Sequence, residues 1–71
     1  MKVFNEIILN EQRFAILVDE ESKEAYEAVW DKNLNDWNTD FSYTSIGVDS
    51  LDVAGQLDFD GAKKEGYTFV E

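Results

Sequence analysis

The chain has no cysteine and no histidine, and among its 71 residues there is a single arginine, Arg13. Without cysteine there is neither a disulfide framework nor a thiolate nucleophile. The absence of histidine removes the commonest general base, and the two absences together remove the usual zinc ligands. Cations are scarce. Six Lys and Arg stand against sixteen Asp and Glu, for a formal net charge of −10. So negative a body repels nucleic acid and anionic membranes and attracts basic surfaces. No apolar run approaches the roughly 18 residues needed to span a bilayer, and nothing resembles a signal peptide. A cytoplasmic location is the default expectation.

Aromatic residues, by contrast, are plentiful. Five Phe, three Tyr and two Trp can each bury roughly 150–250 Å². Acidic disordered segments are typically poor in such residues, so the composition predicts a folded chain, organised as a single domain over residues 1–71.

Val3 to Leu9 and Arg13 to Val18 are rich in β-branched and large apolar residues, with the polar Asn10-Glu11-Gln12 between them. This pattern predicts an antiparallel hairpin. In the second run Phe14, Ile16 and Val18 share one face, while Ala15 and Leu17 make the other face unusually apolar. That face must be covered by a later segment or by a partner. From Asp19 onward the period changes, because Tyr26, Val29, Trp30, Leu34 and Trp37 recur at spacings of three and four. Such spacing predicts a helix between about Glu20 and Asn35, opened by Asp19, Glu20, Glu21 and Ser22. Phe41 to Val48 reads as a strand. Leu51 to Phe59 reads as a strand bulged at Gly55, the alternative being a short helix capped by Ser50. Asp60-Gly61 reads as a turn, Ala62 to Glu65 as an exposed connector and Tyr67 to Val70 as a final strand. The expected fold class is α+β: a small antiparallel sheet, formed by the N-terminal hairpin and the C-terminal strands, packed on one amphipathic helix.

Asp58-Phe59-Asp60-Gly61 resembles the start of a calcium loop, but the loop's count fails. With Gly61 at the glycine position, the first ligand position falls on Gln56 and the closing bidentate position on Tyr67, neither of them a carboxylate. Sixteen acids generate many chance pairs, yet no phosphate-binding glycine loop and no histidine accompany them. The sequence therefore predicts no enzyme activity, no cofactor and no metal.

The expected function is binding. On a helix, Glu20, Glu24, Glu27 and Asp31 would form one acidic stripe, with Cβ atoms about 5–6 Å apart, close to the spacing of phosphates along a nucleic-acid strand. Asp36, Trp37 and Asp40 would extend that surface, with Trp37 as an aromatic anchor. No cation lies between Lys32 and Lys63. These features point to an acidic inhibitor or nucleic-acid mimic, of the phage or immunity type in size and charge. It would occupy the basic site of a nucleic-acid-handling protein without touching nucleic acid or membrane itself. The alternative is a small assembly protein that forms homo-oligomers through an apolar sheet face or an edge strand such as Tyr67 to Val70.

Overall fold

In the computed structural model, which describes residues 1–70, strands β1 (Lys2–Leu9) and β2 (Gln12–Asp19) form the expected hairpin. Their connection is the two-residue turn Asn10-Glu11, with both residues at positive φ (51° and 64°). That is the turn geometry that matches the right-handed twist of a hairpin. Strand β3 (Glu24–Asp31) returns antiparallel to β2, and β4 (Asp36–Asn38) turns back along the last residues of β3. After two short helices, α1 (Ser50–Ala54) and α2 (Phe59–Lys64), strand β5 (Thr68–Phe69) runs parallel to the start of β3. The five-stranded sheet has the order β1-β2-β3-β4, and β5 shares the outer side of β3 with β4. The class is broadly α+β.

The helix expected between Glu20 and Asn35 is replaced by β3 and parts of two hairpin turns. Asp19 and Asp31 explain how the turns form. Asp19 Oδ1 accepts the N–H groups of Glu21 (3.0 Å) and Ser22 (3.3 Å), and Asp31 Oδ1 accepts those of Asn33 (2.8 Å) and Leu34 (3.2 Å). A carboxylate that takes N–H groups two and three residues ahead serves a turn as readily as a helix start. Lys23 and Asn35, at φ 59° and 53°, complete the two reversals. Leu34, expected in the core, is 64% exposed at a turn.

Phe14, Ile16 and Val18 on β2, with Ala25 and Val29 on β3, form the core face of the sheet. Val53 and Ala62 of the helices, with Val48 and Leu57 from the connecting segments, pack against it. The strand expected over Phe41–Val48 is instead a run of turns. Because β4 and β5 already occupy the outer side of β3, this segment has no strand to pair with along it. It crosses the core face and packs Phe41, Tyr43 and Ile46 on the cluster. The strand reading of Leu51 to Phe59 also gives way to helix. Asp49, one residue ahead of the considered Ser50, caps α1 by accepting the Leu51 N–H at 2.9 Å, and Gly55 ends it. Asp60-Gly61 and the expected connector lie largely within α2, where Asp58 accepts the Gly61 N–H at 3.0 Å. A side chain on Gly61 would overlap that carboxylate.

Candidate protein-binding face

Both helices and the crossing segment lie on the core face, so the opposite face of the sheet is open. Its residues fall into cross-strand rows. Ile8 lies opposite Arg13, and Trp30 opposite Trp37; Glu6, Ala15 and Ala28 form a second row; Val3, Leu17 and Tyr26 a third; Asp19 and Glu24 close the end. Ala15, Leu17 and Ala28 are 0%, 5% and 1% exposed although no helix or loop covers them. The two alanines sink between larger neighbours, Leu17 lies in its row between Val3 and Tyr26, and Trp37 packs against this cluster.

Arg13 organises one end of the face. Its guanidinium carbon lies 4.6 Å from the Trp30 ring centroid and 5.0 Å from that of Trp37, and the two indoles meet edge to face at 5.2 Å. Its Nε donates to Glu6 Oε2 at 2.9 Å and its terminal NH2 to Glu6 Oε1 at 3.3 Å. This two-point ion pair holds the Glu6 carboxyl below the ordinary glutamate value, chiefly through the hydrogen bonds. One positive charge is thereby fixed between two indoles and a carboxylate. Val3 and Ile8 remain 43% and 68% exposed at the β1 side. Beside Trp30, at the end of the sheet, a cleft of about 470 Å³ is lined by Glu11, Asp31 and Asp40 together with Arg13 and Phe41.

The proposed acidic stripe does not form, because alternation along β3 sends Glu24 to the open face and Glu27 and Asp31 to the other. Glu20 lies in the turn between β2 and β3, ion-paired with Lys2. Glu24 ends the open face opposite Asp19. Glu27 is half-buried and accepts the Tyr43 hydroxyl at 2.7 Å, which is a structural role. Asp31 holds its turn and pairs in register with Asp36. Trp37 is half-buried on the open face, and Asp40 is exposed on the wall of the cleft. The fold therefore brings Asp31, Asp36, Trp37 and Asp40 to one end of the molecule and disperses the rest.

Sequence reasoning did not single out Arg13, Glu6, Trp30 and Tyr26 as members of one surface. The signal was present in the two-sided apolar character of Arg13–Val18. Among the described residues no group of three or more Asp or Glu stands close enough to hold a metal ion, and no helix is long and apolar enough to cross a membrane. No protein-family model, curated protein or solved structure matches the chain.

Proposed function

We propose that the chain is a non-catalytic acidic protein-binding module, an inhibitor that occupies a basic site on a nucleic-acid-handling protein. The observation that carries this reading is the uncovered sheet face of a body with net charge −10, on which Trp30, Trp37 and Arg13 form one cluster and Tyr26 stands two cross-strand rows away. Trp, Tyr and Arg are the residue types that dominate interface energies when a partner excludes water from them. Charge then selects the partner: the surrounding field favours a basic surface and disfavours nucleic acid. With β3 extended, the mimicry lies in charge and site occupancy, and no row of carboxylates imitates a phosphate backbone.

The test begins with capture of a partner at low salt, its identification, and direct competition with nucleic acid. Nucleic acid should displace this protein from the partner, and Trp37→Ala should weaken the complex. Simultaneous binding of both ligands at undiminished affinity would overturn the reading.

A further inference from the structure

We propose that a second copy of the chain pairs with β1 edge to edge, joining two sheets into one across a two-fold axis. β1 is the outermost strand, and among the described residues its backbone makes no hydrogen bonds outside its pairing with β2. It is eight residues long, whereas the opposite side of the sheet is closed by the short β4 and β5. Natural edge strands are guarded against such pairing by lysines, inward charges and bulges. Here the charged guards are already occupied: Lys2 is ion-paired with Glu20, and Glu6 with Arg13. The bulge between Val3 and Asn5 places Phe4 and Asn5 together as one step of the strand.

Counting that step once, the antiparallel register that pairs the whole strand with itself is symmetric about Glu6. Val3 then meets Ile8 of the second copy, Ile7 meets the Phe4-Asn5 step, and Lys2 meets Leu9, each on a matching face. Two exposed apolar residues of the open face become two cross-strand pairs. The Glu6 carboxylates meet at the axis, but each brings its own Arg13, so two ion pairs face one another. Such an interface is isologous and closes at two copies. Each copy carries −10, so long-range repulsion opposes assembly. Salt shortens the screening length from about 8 Å at physiological strength to about 3 Å at 1 M. Self-association should therefore strengthen with salt, opposite to the binding of a basic partner, and this inference stands or falls independently of the proposed function.

Sedimentation of the full chain from low micromolar to millimolar concentration, at low and high salt, reads the result directly. The expected outcome is a concentration-dependent dimer that gains in high salt. Ile8→Lys should lower its association constant about tenfold, since two cross-strand pairs are lost per dimer, while Leu51→Ser, at an exposed apolar position outside the sheet, leaves it unchanged. Val3→Lys tests the same pair from its other side if Ile8→Lys fails to fold by circular dichroism. A monomer at every concentration and salt would overturn the proposal. So would a dimer lost with Trp37→Ser and kept with the lysine variants, which would place the second copy on the open face.

Discussion

Tyr43 and Glu27 meet beneath the segment that crosses the core face, sixteen residues apart in sequence and 2.7 Å apart in space. Partial burial, then the hydrogen bond and charge of Glu27, pushes the Tyr43 hydroxyl well above its ordinary value. The folded chain thus keeps this proton to higher pH than the unfolded chain does. The resulting stability is complete below the unfolded tyrosine value of about 10 and is lost as pH rises beyond it. Tyr43→Phe should cost about 1 kcal/mol at neutral pH, and its deficit against the parent should shrink at about pH 11. Urea midpoints at both pH values decide this. Tyr26 is shifted in the same direction, mainly by desolvation and then by Glu24, but it is present in both proteins and cancels from the comparison.

At the scale of elements, the first hairpin was legible because β-branched runs flank a short polar turn. Glu11 is the residue that does not suit that turn, since it sits at φ 64°, where a glycine after Asn10 would match the preferred Asn-Gly pair. Glu11→Gly should raise stability by up to about 1 kcal/mol, the strain of a non-glycine residue in this region; an unchanged or lower melting temperature would refute that. β3 was illegible for a different reason. A strand paired on both sides and apolar on both faces loses the alternation that marks a strand. Ala25 and Val29 serve the core face, and Tyr26, Ala28 and Trp30 the open one. The resulting spacing matches a helical stripe. Trp30 and Trp37 stand seven apart because a hairpin places them opposite one another. Phe14→Ala, at a fully buried position, should remove about 3–5 kcal/mol, whereas Leu34→Ala should change stability by no more than about 0.5 kcal/mol. Chemical denaturation of the two variants separates the strand from the helix, which would have made Leu34 costly.

At the scale of the whole molecule, the net charge was legible from the sequence, but its placement was not. The acids are scattered over turns, helix starts and strand ends, so on the proposed function charge and contact would fall to different residues. Asp36 and Asp40 are exposed near the Trp37 end; on the proposed function they would raise the encounter rate with a basic partner without being desolvated by it. Trp37 is set among Arg13, Trp30 and the buried alanines, where a partner would exclude water. Asp36→Asn with Asp40→Asn should therefore lower the association rate severalfold and flatten its salt dependence, with the dissociation rate nearly constant. Trp37→Ala should do the reverse, leaving association intact and speeding dissociation by about 30-fold, the equivalent of roughly 2 kcal/mol for an interface anchor. Surface-immobilised partner, sampled over a range of salt, measures both rates. If the two asparagines accelerate dissociation as strongly as the tryptophan change does, the carboxylates lie inside the contact, and acidity acts there as a direct mimic of the nucleic acid it displaces.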